Sequence, residues 1–242
     1  MCEILAVATA EPLPGPTLLE WAAPLERHGE SGYGWGVAWI EGGRLHRHRA
    51  PCRMADDPKG RERVAAARST RYLLHLRRPS ALLTVSLADS QPFQDDDRAH
   101  AFAHNGRFAR DAEWREPYAA TLRGAADSEV GFQCYLERRA AGAPALQALR
   151  QTHELLGGVA NLGSLDADGE LTVYGDNREN AFWRFRLGEA VVASTALHSE
   201  DDALFALVFP AAAGRERVTG AGARVGEGSG PGAGQLREAA GG

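Results

Sequence analysis

Strand-like runs gather in two blocks on either side of two consecutive helical stretches, and this order restricts the architecture more than any single motif. Apolar residues recur at helical spacing over 128–140 and 143–156, with Gly142 between them. Before them lie strand-like runs at 1–8, 32–40, 44–48, 72–77 and 99–103; after them come 158–165, 170–174, 182–186 and 191–195. Such clustering argues for α+β layers and against the strand–helix alternation of a Rossmann chain. Glu41-Gly42-Gly43 and Asp166-Ala167-Asp168-Gly169 read as hairpin turns. A short helix is expected around Leu18 to Leu25 after a proline break at Pro12, Pro14 and Pro16, and a charged helix over 55–70. From Gly214 onward 10 of the last 29 residues are Gly, so a domain over 1–212 and a flexible tail over 213–242 are expected.

Composition removes several function classes. The formal charge is 27 − 32 = −5 and Lys59 is the single lysine, so there is no basic footprint for nucleic acid. No apolar run approaches the roughly 20 residues of a membrane span, and no basic, apolar leader opens the chain. Three cysteines, Cys2, Cys52 and Cys134, are too few and scattered for a disulfide framework. The expected setting is cytoplasmic. His46, His48 and Cys52 could meet a metal, but the alternation of 44–48 makes both histidines ordinary surface residues. Neither a metal nor any other cofactor is expected. Trp35 and Trp39 share a strand face and read as core, and Cys134 as a buried helix residue.

Cys2 stands apart because of its position. Cysteine is small enough for Met1 to be removed, which would leave thiol and α-amine on one residue. The amine titrates near ~7.7–8 and the thiol near ~8.5, so the free amine can take the thiol proton at neutral pH. A thiolate attacking an amide needs fixed donors where negative charge develops. His104-Asn105-Gly106, closing the run at 99–103, offers the Asn105 side-chain amide and the Gly106 N–H. Asn-Gly is also the commonest turn pair, so a plain β-turn competes with that reading. Arg77 offers the fork that suits a carboxylate, and Asp127 an acid for an ammonium group. Asp127 also suits the N-cap of the helix that follows it.

Taken in order, Met1-Cys2, Gly34-Trp35-Gly36, His75-Leu76-Arg77, Gln91-Pro92-Phe93, His104-Asn105-Gly106 and Asp127-Ser128-Glu129 resemble the class II glutamine amidotransferases, which are N-terminal nucleophile hydrolases. The resemblance runs over residues 1 to about 210. It implies a four-layer αββα sandwich of two antiparallel sheets and attack of Cys2 on a side-chain amide to give a γ-glutamyl thioester. Asn105 and Gly106 would hold the oxyanion, Arg77 the α-carboxylate and Asp127 the α-ammonium, with Ser80 and His104 also facing the ligand. Two departures stand out: Arg78-Pro79-Ser80 where the family has x-A-T after the arginine, and Gln91 where it often has His. With only the Gly-rich stretch after 212, no synthase domain is expected. The chain then looks similar to the γ-glutamyl hydrolase of ergothioneine biosynthesis, hydrolysing glutamine or a γ-glutamyl conjugate. The alternatives are a glutaminase subunit passing ammonia to a separate synthase partner, and a non-catalytic glutamine- or glutamate-binding module. Residues 195–202 are the expected place for leaving-group discrimination.

Overall fold

The computed structural model describes residues 2–79, 84–197, 199 and 201–226. Its elements are β1 (Glu3–Pro14), α1 (Gly15–His28), β2 (Trp35–Glu41), β3 (Arg44–Ala50), α2 (Pro58–Ala65), β4 (Arg68–Leu76), β5 (Phe93–Gln94), β6 (His100–Phe108), α3 (Asp111–Arg115), α4 (Asp127–Ala140), α5 (Ala145–Leu156), β7 (Gly158–Asp166), β8 (Leu171–Gly175), β9 (Phe182–Leu187), β10 (Ala190–Thr195), α6 (Asp202–Val208), β11 (Ala212–Val218) and β12 (Ala223–Arg224). They form two antiparallel sheets, ordered β11-β9-β10-β1-β4-β2-β3 and β12-β8-β7-β6-β5.

The opening apolar run is explained by a strand buried on both faces, which has no reason to alternate with polar residues. Leu5 and Val7 of β1 point to a core shared with Leu18, Ala22 and Leu25 of α1, Val64 of α2 and Phe205 of α6. Ile4, Ala6 and Ala8 point the other way, into the space between the sheets, where they meet Leu73, Ala101, Ala103 and Leu165. A third core joins Val130, Cys134 and Tyr135 of α4 and Leu149 of α5 to Phe102 and Leu162 of the smaller sheet. Helices, sheet, sheet, helices: the molecule is the expected α+β four-layer sandwich.

Three expectations about extent are corrected. Pro12 does not end β1, which runs on to Pro14; the strand shifts register against β4 between Ala8 and Leu13 and then pairs Pro14 with Arg68, prolines being tolerated at strand ends and irregularities. The charged stretch 55–70 is a 3₁₀ turn at Met54–Asp56 and the short α2, because Arg68 onward is claimed by β4. Ordered structure also continues past 212. β11 pairs with β9, β12 pairs with β8, and Val218 and Val225 are buried between the sheets.

Trp35 and Trp39 lie in the first core, as expected. His46 stacks on Trp39 at 5.6 Å and His48 bonds the Asp57 carboxylate at 2.8 Å. Among the described residues no group of three or more His, Cys, Asp or Glu side chains is placed to hold a metal ion. None of their helices is long and apolar enough to cross a membrane.

Candidate active site

The register of the larger sheet brings the chain start to the end of β4: Glu3 pairs with Leu76, so Cys2 lies beside Arg77. The Cys2 Sγ is 3.2 Å from both the backbone N and O of Arg78, accepting from the first. Burial pushes the thiol up to about 11, outweighing the Arg78 N–H and the Arg77 charge, which both favour thiolate. At neutral pH the group is therefore a thiol.

Asn105 and Gly106 are not a turn. Both lie inside β6, paired with Asn161 and Ala160 of β7. The ladder overrides the local turn preference because Gly106 takes φ +141°, open to glycine, and a Cβ there would lie 1.9 Å from the Val159 carbonyl oxygen. Asn105 is fully buried, and its Nδ2 donates to the Cys2 carbonyl oxygen. The same oxygen accepts from Asn180 Nδ2 at 3.3 Å. The structure thus sets the Asn105 amide directly against the nucleophile candidate's own peptide.

Arg77 is buried at the end of β4. Its Nη2 donates to Thr84 Oγ1 at 2.7 Å, while the buried Nη1 meets no acceptor among the described residues. A buried guanidinium nitrogen left without a partner is costly unless a ligand supplies one. Asp127 is the first residue of α4 and not its cap, which is Ala126. Its Oδ2 accepts from the Phe108 N–H at 2.8 Å and its Oδ1 from Ser128 Oγ at 3.4 Å. The capping alternative therefore falls. The guanidinium of Arg77 senses the charges of Cys2, Asp89 and Asp127 together.

His104 is enclosed by its neighbours. Its side chain has no exposed surface, stacks on Phe108 at 4.1 Å and bonds Ser128 Oγ through Nδ1 at 2.9 Å. His104 thus holds Ser128, which in turn contacts Asp127. Gln91 is buried too, accepting from the His104 N–H at 2.6 Å and donating to its carbonyl at 3.2 Å. Its amide imitates a strand neighbour, which accounts for Gln at this position. Ser80 lies outside the described residues.

Several neighbours escape a sequence reading. Glu3 is buried and accepts from Thr195 Oγ1 at 2.5 Å, and burial pushes its carboxyl up to about 7. His75 is fully buried, and burial, with Arg77 and His104 beside it, pulls it down to about 3, so it is neutral. Asn161, Asn177 and Asn180 complete the surroundings of Asn105. A charge inside an apolar opening strand was the one signal for Glu3. Nothing local marks Asn177 or Asn180 in what reads as a polar turn.

A family model described as glutamine amidotransferases class-II matches residues 1–183. No curated protein sequence matches the chain. Among solved structures, the glutamine phosphoribosylpyrophosphate amidotransferase of B. subtilis, complexed with ADP and GMP, superposes with a TM-score of 0.68 at 16% identity, covering 90% of this chain and 46% of that one. The chain thus spans less than half of that enzyme. A glutamine aminotransferase class-II domain protein from Silicibacter pomeroyi gives 0.51 at 18% identity, covering 80% and 88% of the two chains. A predicted glutamine amidotransferase from Pseudomonas aeruginosa gives 0.50 at 18%, covering 91% and 95%. At these identities the likeness is one of fold.

Proposed function

The chain belongs to the class II glutamine amidotransferases, with their N-terminal nucleophile hydrolase fold, and from that premise we propose that it hydrolyses the side-chain amide of glutamine or a γ-glutamyl conjugate through Cys2. The contact of the Asn105 amide with the Cys2 peptide carries this reading, because it puts a buried hydrogen-bond donor beside the sulfur's own residue.

Removal of Met1 would free the Cys2 amine. Burial raises the Cys2 thiol in the chain that carries Met1; once Met1 is gone, the amine, half free near ~8, takes the thiol proton directly or through water. The sulfur then bonds to the amide carbon and the C=O electron pair moves onto oxygen. Asn105 Nδ2 carries two hydrogens; with one on the Cys2 carbonyl, the second serves the oxyanion together with the Gly106 N–H. Collapse breaks the C–N bond, the ammonium of Cys2 returns its proton to the departing amine, and a γ-glutamyl thioester remains. Water, deprotonated by the same amine, splits the thioester to glutamate and free thiol. Arg77 takes the α-carboxylate through Nη1, and Asp127 takes the α-ammonium on its ligand-facing oxygen.

Release of glutamate from glutamine and from several γ-glutamyl amides, compared between the native chain and Cys2→Ala, tests the proposal. Turnover should vanish in the variant with its unfolding midpoint unchanged, and intact-mass spectrometry should show Met1 absent. Residual turnover in Cys2→Ala, or a retained Met1 in active protein, rejects it. A second reading, ammonia supply to a synthase, is favoured by the match to less than half of a phosphoribosylpyrophosphate amidotransferase; it predicts weak release by the isolated chain.

A further inference from the structure

We infer that Asn177 is a positioning residue that fixes which end of the Asn105 amide faces Cys2, an inference that rests on the oxyanion role proposed above. The two ends of an asparagine amide have almost the same shape, so only its partners decide where nitrogen and oxygen lie. Asn105 Oδ1 accepts from Asn177 Nδ2 at 3.4 Å, which turns the Asn105 nitrogen toward the Cys2 carbonyl. Asn177 is itself fixed: its Oδ1 accepts from the backbone N–H groups of Glu179 at 3.0 Å and Asn180 at 3.1 Å. Only its nitrogen end is left to meet Asn105.

The loop that carries Asn177 is tied down by Asn161, which pairs opposite Asn105 on β7. Asn161 Oδ1 accepts from the Asn177 N–H at 3.3 Å, and its Nδ2 donates to the Asn180 carbonyl at 2.7 Å. All four asparagines are buried. A turned Asn105 would set oxygen against the Cys2 carbonyl oxygen and nitrogen against the Asn177 nitrogen. Both groups are buried, so both contacts are costly. Orientation is thus relayed from two backbone N–H groups, through Asn177, to the donor that stabilises the oxyanion.

Asn177→Asp tests this. The carboxylate keeps the acceptor that holds the loop and replaces the nitrogen by oxygen, which favours the turned Asn105. The expected result is a kcat lower by about 10²- to 10³-fold, the usual loss for one oxyanion donor, with KM within about threefold of the native value. The NOE contacts of the Asn105 side-chain NH₂ with Cys2 should disappear in the same variant. An unchanged kcat, a loss confined to KM, or a loss without reorientation of the amide overturns the inference. Should Asn177→Asp not fold, Asn177→Ala frees Asn105 to turn, and the same split between kcat and KM decides. If the native chain shows no Cys2-dependent turnover, the proposed function fails, and the NOE comparison still decides the orientation.

Discussion

Glu3 is one residue from the candidate nucleophile and buried against Thr195, and its titration is a stability term that can be isolated. Its carboxyl is raised from 4.5 to about 7, so the folded state holds the proton more tightly than the unfolded chain. The stability this contributes is complete below about pH 4.5 and lost as pH rises through about 7. A shift of that size corresponds to about 3 kcal/mol. His75, pulled down to about 3, acts with the opposite sign, adding stability above its ordinary range and losing it on acidification. The difference between the native chain and Glu3→Gln removes the His75 contribution. Denaturant unfolding at pH 4.5 and 7.5 should show Glu3→Gln gaining on the native chain at the higher pH; a pH-independent difference would contradict a protonating Glu3. Arg77→Ala and Asp127→Asn should each raise KM about 10- to 100-fold, the worth of one charge-assisted hydrogen bond, in a steady-state release assay. The sequence singles out Cys2, Arg77, Asn105, Gly106 and Asp127 as candidates because each offers its chemistry by type and place in the chain. Asn177 and Glu3 acquire theirs only from partners 72 and 192 residues away.

β6 is the element on which the site depends, and it shows where local signals mislead. An Asn-Gly pair after an apolar run reads as a turn, yet the ladder with β7 continues through both residues to Phe108. Cross-strand pairing outweighs turn propensity when the strand is buried and the glycine is needed for close approach. The consequence is measurable by comparing two glycines on adjacent strands. Gly106→Ala would drive a methyl to 1.9 Å from the Val159 carbonyl oxygen at an unfavourable φ, and backbone must move. Gly163→Ala on β7 meets first the flexible Leu73 Cδ1 at 2.9 Å. Urea unfolding should show Gly163→Ala losing about 1–3 kcal/mol, as ordinary overpacking does, and Gly106→Ala losing distinctly more. Equal losses would mean that β6 and β7 can part at Gly106 without cost.

At the scale of the molecule, the α+β layering followed from the order of strands and helices and the four-layer sandwich from the family resemblance, whereas the C-terminal limit followed from neither. Residues after 212 are glycine-rich and lack long apolar runs, so composition alone assigns them no strand. Their order comes from edges already built. β11 lies along β9 at the margin of the larger sheet, β12 along β8 at the margin of the smaller one, and Val218 and Val225 close the space between them. The Val225 N–H donates to the Leu171 carbonyl at 2.8 Å, and β11 passes so near β8 that a Cβ on Gly175 would lie 2.6 Å from the Val218 oxygen. One short segment therefore stitches both sheets. Trimming Val218 and Val225 together to alanine removes apolar bulk worth about 3 kcal/mol, a large fraction of the ~5–15 kcal/mol that holds a domain folded. Stopping the chain after 212 does more, because it also bares the hydrogen-bonding edges of β9 and β8, which are then open to pairing with other chains. The double alanine variant should elute as the native chain does, with a lower unfolding midpoint, and the chain stopped after 212 should aggregate on sizing chromatography. A fully stable product of that truncation that does not aggregate would show that each sheet closes without its last strand.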